Sequence, residues 1–239
     1  MPTDELTAER LELLATAEIE VEGRMPWSSN ATFLVTLHHR GAGERSHRAV
    51  YKPVRGERPL WDFEPGLHRR ERAAFLLSEH LGIGAVPPTI IREGPFGEGS
   101  VQWFVEADHR EHYFTIFEQR ADLHEQLRSI AAFDLIANNT DRKSGHCLLA
   151  EERVWAIDHG LCFAASWKLR TVIWEFAGEP VPDRLLERVR TLSSKVPLDL
   201  AAMLTDDEVE ALAHRAETLA DAAEFPSDET GARYPWPLV

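Results

Sequence analysis

The chain has 239 residues, 44% of them apolar and 28% charged, the make-up of a folded protein with length enough for a substantial core. Its formal net charge of −14 repels phosphate backbones and anionic bilayers, so neither nucleic acid nor a stable membrane association is expected. No apolar run reaches a membrane span of about 20 residues, the acidic start MPTDELTAER lacks the order of a signal peptide, and the two cysteines, Cys147 and Cys162, cannot build a disulfide framework, so a cytoplasmic location is expected. Residues 4–16 read as a short helix. Apolar alternation over residues 17–22, 31–38 and 48–54 predicts three strands joined by turns of Gly, Pro, Ser and Asn. Residues 67–82 have helical periodicity and stop at Gly82, a C-capping residue. Pro87 and Pro88 open two more strands, 89–92 and 101–106.

From there the pattern turns mostly helical. Asp122 and Glu125 have capping-box spacing ahead of Leu123, Leu127, Ile130, Ala131 and Phe133, which predicts a helix up to Asn138. Two short strands follow at 147–150 and 154–157. Asp183 starts a helix with Leu185, Leu186, Val189 and Leu192 inward, and Thr205 with Glu208 forms a second capping box ahead of the last helix. The proline- and aromatic-containing tail from Phe225 reads as irregular. These elements predict an α+β chain of two lobes, a β-rich half over 1–106 with one inserted helix and a mostly helical half over 107–239, with a ligand cleft between them.

The chemistry concentrates in two acidic turns. Asp141 lies in NNTDRKSGHCLL (138–149) and Asp158 in AIDHGLCF (156–163). A hairpin between them would bring both carboxylates to one edge of the cleft. There one can orient or deprotonate a hydroxyl and the other hold a hard divalent cation. Asp141 alone reads equally well as a turn residue bonded to its own backbone, a reading that the pair makes less apt. Only four of the 26 basic residues are lysines, Lys52, Lys143, Lys168 and Lys195. Lys52 sits mid-strand in AVYKPV, where a β-branched or aromatic side chain would be the ordinary choice. Glu71 shares a helix face with Ala74, Phe75 and Ser78 and can turn toward the sheet to pair with it; taken without context, an edge-strand lysine and a solvated glutamate in the charge-rich stretch HRRER is the more ordinary reading. The turn Pro26-Trp27-Ser28-Ser29-Asn30 is small and polar enough to approach phosphate oxygens, and is also an ordinary hairpin turn. The cysteines and the seven tryptophans are expected to be packing residues, and His38, His39, His47, His109, His112 and His124 to be surface or loop residues.

Taken together, these segments resemble the atypical kinases of the phosphatidylinositol 3-/4-kinase superfamily, most closely the type II phosphatidylinositol 4-kinases, with a looser likeness to HipA-type kinases. NTDRKSGH is similar to the family's catalytic loop, AIDHGLCF to its metal-binding segment, YKP to the ATP-lysine strand, RERAAFLL to the helix of the paired glutamate, and GSVQWFVE to the strand entering the hinge. The resemblance implies a two-lobed protein-kinase-like fold that binds ATP with Mg²⁺ or Mn²⁺ and transfers phosphate to a hydroxyl-bearing acceptor. It assigns Lys52 to the α/β-phosphates, steadied by Glu71, with Ser28, Ser29 and Asn30 over the phosphates. The backbone at Val105 and Glu106 would meet adenine, Asp141 would orient the acceptor hydroxyl, and Asp158 would hold the metal.

Two departures stand out. His146 occupies the place of the family's metal-binding asparagine, and imidazole suits transition metals better than Mg²⁺. Lys143 can neutralise the moving phosphoryl group or simply be exposed. FAASWKLRTVIWEFAGEP, the segment after Asp158, has no basic cluster for an inositol phosphate. A protein or small-metabolite acceptor is therefore expected rather than a phosphoinositide. A pseudokinase that binds nucleotide without catalysis, and AMP transfer on the same fold, remain alternatives.

Overall fold

The computed structural model describes residues 5–26, 28, 30–39, 46–61 and 63–238. The chain opens with helix α1 (Glu5–Thr16) and continues into strands β1 (Glu18–Arg24), β2 (Phe33–His38) and β3 (Ser46–Pro53). Helix α2 (Leu67–Leu81) separates β3 from β4 (Thr89–Gly94) and β5 (Gly97–Trp103). The five strands form one antiparallel sheet in the order β1-β2-β3-β5-β4. Alternation gives the sheet two faces. Val35, Leu37, Ala49, Tyr51 and Val101 point to one side and close a small core with Leu14 and Ala17 beneath α1. Lys52, the neighbour of Tyr51, therefore faces the other side, toward α2 and the helical half.

The second half contains α3 (Tyr113–Gln119), α4 (His124–Ala137), the hairpin β6 (Cys147–Ala150) and β7 (Arg153–Ala156), then α5 (Asp183–Ser194), α6 (Leu198–Ala201) and α7 (Asp206–Ala222). Its core draws on all these helices and also on Ala73, Ala74, Phe75, Leu76, Leu77 and Leu81 of α2. Although α2 comes between two strands of the sheet, its apolar face belongs to the helical core. Arg70 of α2 strengthens that attachment: its guanidinium donates to Glu208 at the start of α7, to the Cys162 carbonyl and to the Glu64 carbonyl. Glu208 also accepts the Thr205 amide (3.0 Å), while Thr205 Oγ1 accepts the Glu208 amide, so the capping box expected there forms.

Other expectations need correction. Asp122 does not cap α4. Its carboxylate is held by Arg120 (2.7 and 3.0 Å), and α4 is entered through a 3₁₀ turn at 121–123. A two-residue Arg–Asp pair outcompetes the cap because the guanidinium takes both oxygens. The strand expected over 101–106 runs instead over Gly97–Trp103. Helix α3 escaped the pattern because YFTIFEQ is aromatic and β-branched, a composition that reads as strand. Cys147 and Cys162 are fully buried, and burial pushes the Cys147 thiol up to about 12. The tryptophans are not uniformly packing residues: Trp61 and Trp236 are 96% and 88% exposed, and Trp167 is half-exposed. His124 is not on the surface either; it stacks on Phe117 with ring centroids 4.6 Å apart.

Candidate active site

Lys52 is paired with Ser100 across β3 and β5, and its side chain leaves the sheet toward α2. Its Nζ donates to Glu71 Oε1 (2.5 Å) and to Asp158 Oδ1 (2.8 Å). Glu71 is buried, and its second oxygen accepts the His159 amide (3.2 Å), so one carboxylate fixes both the amine and the backbone after Asp158. Burial alone would depress the Lys52 ammonium, but the charges of Asp158 and Glu71 outweigh it and its pKa rises above the ordinary lysine value. Asp158 is half-exposed, and the Lys52 charge, against desolvation, holds its carboxyl well below the usual range. Its backbone is left-handed (φ 60°), which lets the chain turn as it leaves β7.

Asp141 is positioned by a polar network beneath it. α4 ends on Asn138 in the left-handed region (φ 51°), whose side chain donates to the carbonyls of Ala164 and Ser166. Asn139 donates to Asp134 Oδ1 (2.9 Å) and its own Oδ1 accepts the Asp141 amide (3.1 Å). Arg142 is wholly buried and pairs with Asp134, donating to both carboxylate oxygens. It also donates to the Ile157 carbonyl (3.0 Å), which joins the two acidic turns. Thr171 Oγ1 supplies a further donor to Asp134 (3.1 Å). The hairpin pairs Cys147 with Ala156, and the Ile157 amide donates to the His146 carbonyl (3.0 Å). Asp141, before β6, and Asp158, after β7, thus emerge at the same end. Lys143 Nζ lies 2.9 Å from Asp141 Oδ2. His146 Nε2 lies 3.7 Å from Asp158 Oδ2, and burial lowers the pKa of the ring against the opposing charge of Asp158. The Lys143 amide donates to His146 Nδ1 (3.4 Å), which leaves the ring proton on Nε2.

The β1–β2 turn lies at the Lys52 end of the sheet, since Phe33 pairs with Tyr51. Ser28 Oγ is hydrogen-bonded to Thr32 Oγ1 (2.7 Å), and Asn30 Oδ1 accepts the Arg58 amide (3.0 Å). The Ala31 amide donates to the Gly56 carbonyl (3.0 Å), and a Cβ at Gly56 would come within 2.6 Å of Ala31 Cβ, so glycine is what lets the segment after β3 brace this turn. Ser29 lies outside the described residues. Val105 and Glu106 follow β5 at the opposite end, with Glu106 Oε1 2.5 Å from Arg48 Nη2. Five positions separate Val105 from Ser100, roughly 16 Å of extended chain, so these two residues are remote from Lys52. A cavity of about 590 Å³ adjoins Val105 and Glu106 on the side of α1 and the β6–β7 turn; Lys52, Glu71, Asp141 and Asp158 do not line it.

The donor set suits a hard cation. Asp158 Oδ2 is not engaged by Lys52, and carboxylate oxygen is the ligand that Mg²⁺ and Mn²⁺ favour. Among the described residues no three His, Cys, Asp or Glu side chains form a closed metal cage. A cation held here would complete its shell from water and phosphate oxygens, as Mg²⁺ commonly does. Sequence reasoning missed Asp134, Arg142, Thr171 and His159 as parts of the site. The signal was present in one case: Asp134 interrupts the apolar run IAAFDLIA of a helix that is otherwise buried there.

Known proteins resemble the chain in sequence and in fold. The model of the phosphatidylinositol 3- and 4-kinase family matches residues 70–213, a span that contains Glu71, Asp141, His146 and Asp158. Protein Rv2133c of Mycobacterium tuberculosis (strain ATCC 25618 / H37Rv) is 39% identical over 265 residues, covering 94% of each chain. Among solved structures, a hydra Fam20 with sugar superposes with a TM-score of 0.60 at 15% identity, over 93% of this chain and 89% of that one. The Golgi casein kinase with Mn and ADP bound gives 0.60 at 15% identity, over 99% and 81%. At such identities the two structures establish the fold, which is two-lobed and kinase-like. From the family model, which matches more than half of it, the chain belongs to the phosphatidylinositol 3- and 4-kinase family and is a kinase-like phosphotransferase.

Proposed function

We propose that the protein transfers the γ-phosphoryl group of ATP, with a divalent cation, to a hydroxyl on a protein or small metabolite. The observation that carries this reading is Lys52 Nζ held between Glu71 (2.5 Å) and Asp158 (2.8 Å) at the mouth of the Asp141 turn. Lys52 would exchange its contact with Asp158 for the α/β-phosphates while Glu71 keeps the ammonium in place. The amides and hydroxyls of Ser28, Ser29 and Asn30 would cover the phosphates, and an extended nucleotide, its base directed away from Lys52 along β5, would bring the adenine edge to the backbone of Val105 and Glu106. Asp141 would accept the proton of the acceptor hydroxyl as its oxygen bonds to the γ-phosphorus and the bond to ADP breaks. Lys143, beside it, would offset the charge on the moving group. Asp158 would hold the Mg²⁺ or Mn²⁺, which when bound neutralises the phosphates. His146 Nε2 lies 3.7 Å from Asp158 Oδ2, and the ring would ligate the cation only on giving up the Nε2 proton or the Lys143 amide.

That tautomer favours a second reading, a nucleotide-binding module with impaired catalysis. Both readings are tested by titrating purified protein with ATP plus Mg²⁺ or Mn²⁺, followed by intact-mass analysis and labelling from α- or γ-labelled ATP. At a ligand concentration near 100 Kd, nucleotide should stabilise by about 2.7 kcal/mol. γ-label on an acceptor supports phosphotransfer, α-label indicates AMP transfer, and stabilisation without label supports the binding module. Asp158→Ala should abolish metal-dependent turnover, and unchanged turnover would mean that the cation is held by other groups.

A further inference from the structure

Resting on the phosphotransferase reading, a further residue bears on the nucleotide. Opposite residues of an antiparallel pair project to the same side of a sheet. Lys52 stands opposite Ser100, and one row along the strands Val50 stands opposite Gln102, which in turn stands opposite Thr89 of β4. Lys52, Val50, Ser100, Gln102 and Thr89 therefore share the face turned toward α2 and the helical half. Gln102 lies two residues beyond Ser100 on β5, roughly 7 Å of strand, in the direction of Val105 and Glu106. A base directed away from Lys52 along β5 passes it.

Hydrogen-bond accounting fixes which end of this amide is which. Thr89 Oγ1 donates to the Pro87 carbonyl (2.8 Å), and that spends its one hydrogen. Toward Gln102 the same oxygen only accepts, and Gln102 Nε2 donates to it (2.8 Å). The reverse setting of the amide would bring two acceptor oxygens face to face. Thr89 is wholly buried and Gln102 is 6% exposed, so the pair is set in the sheet rather than loose on its surface. The Thr89 carbonyl also accepts Arg72 of α2, which pins this part of β4. Gln102 Oε1, by contrast, has no hydrogen-bond partner among the described residues and is not sealed from solvent. The result is an acceptor of fixed orientation, with an unused lone pair, on the face that carries Lys52.

We propose that Gln102 is a specificity-determining residue that reads position 6 of the purine base. It accepts a hydrogen bond from the 6-amino group of adenine and rejects the 6-oxo group of hypoxanthine or guanine. An amino group supplies the donor that Oε1 lacks. An oxo group sets acceptor against acceptor and leaves both unsatisfied. Thr89 is a positioning residue that acts through Gln102 by denying its amide the alternative setting.

The test uses the whole protein with Mg²⁺ and compares ADP with IDP, which differ only at position 6 and in the proton on N1, and which carry no γ-phosphoryl group to transfer. Calorimetric titration should show ADP bound about ten- to hundredfold more tightly than IDP, as expected for a desolvated acceptor that is either matched or opposed. In Gln102→Leu the ratio should fall at least severalfold. Thr89→Val keeps the side-chain shape and removes the hydroxyl, so the amide is free to turn its NH₂ to the cleft; the ratio should fall there too, with IDP bound more tightly than by wild type. Each ratio is taken within one variant, so a general loss of stability cancels. A wild-type ratio near one, or the wild-type ratio retained in Gln102→Leu, overturns the proposal, and an unchanged ratio in Thr89→Val alone overturns the part given to Thr89. Failure of wild type to bind either nucleotide would instead sink the phosphotransferase reading, and base recognition with it.

Discussion

Lys52 shows how much the placement of one side chain can reveal. A rare cation mid-strand has to meet an anion, and Glu71, 19 residues on, is the partner that helix periodicity allows; the two lie 2.5 Å apart. Replacing Lys52 by Met would leave a buried glutamate and Asp158 without their shared counter-charge and remove a donor aimed at the nucleotide. The expected result is a loss of about 10²–10³-fold in ATP turnover, read as kcat with γ-labelled ATP, together with loss of nucleotide-induced stabilisation. Arg142 and Thr171 were illegible for the opposite reason. Their meaning lies in a closed three-dimensional network with Asp134, Asn139 and the Ile157 carbonyl, and residues up to 37 positions apart leave no periodic trace.

At the scale of single elements, the helices with a continuous apolar stripe were readable, and so were the strands of the sheet to within a few residues. α3 was not, because its seven residues are too few to show a period. Caps were readable only where no rival partner existed: Thr205–Glu208 formed, while Asp122 went to Arg120. The entry to α2 was also missed. Its N-cap, Gly66, offers no side chain, and Glu57 serves instead from nine residues upstream, accepting the Gly66 and His68 amides (3.0 Å each) and the His68 ring. Those hydrogen bonds outweigh desolvation and lower the Glu57 carboxyl to about 2. Since the folded-state pKa is depressed, the stabilisation is complete above the ordinary value of 4.5 and is lost as pH falls through about 2. Glu57→Gln should therefore lower Tm by a constant amount above pH 5, with the gap closing as the pH falls from 4.5 toward 2, as thermal melts at stepped pH would show.

For the molecule as a whole, the division into a β-rich and a helical half followed from the order of patterns along the chain. Which half owns α2 did not follow, because a helix between two strands is assigned by sequence to the sheet, whereas its leucines and Phe75 fill the helical core. The exposed Trp61 and Trp236 were misjudged for a related reason, since composition counts an aromatic residue without knowing on which surface the fold leaves it. The Arg70–Glu208 pair is the buried ionic tie between α2 and α7. Glu208→Ala should cost about 3–5 kcal/mol in urea unfolding by stranding a buried guanidinium. Replacing both partners with apolar residues of similar volume should recover most of that loss. The tie also bears on control. A kinase whose glutamate rides on a loosely docked helix can be switched by swinging that helix away from the lysine. Here Glu71 rides on a helix whose apolar face fills the helical core and whose Arg70 is tied to α7, so swinging it away from Lys52 would expose that face and break the ion pair. Blocking entry to the cleft is the less costly form of restraint.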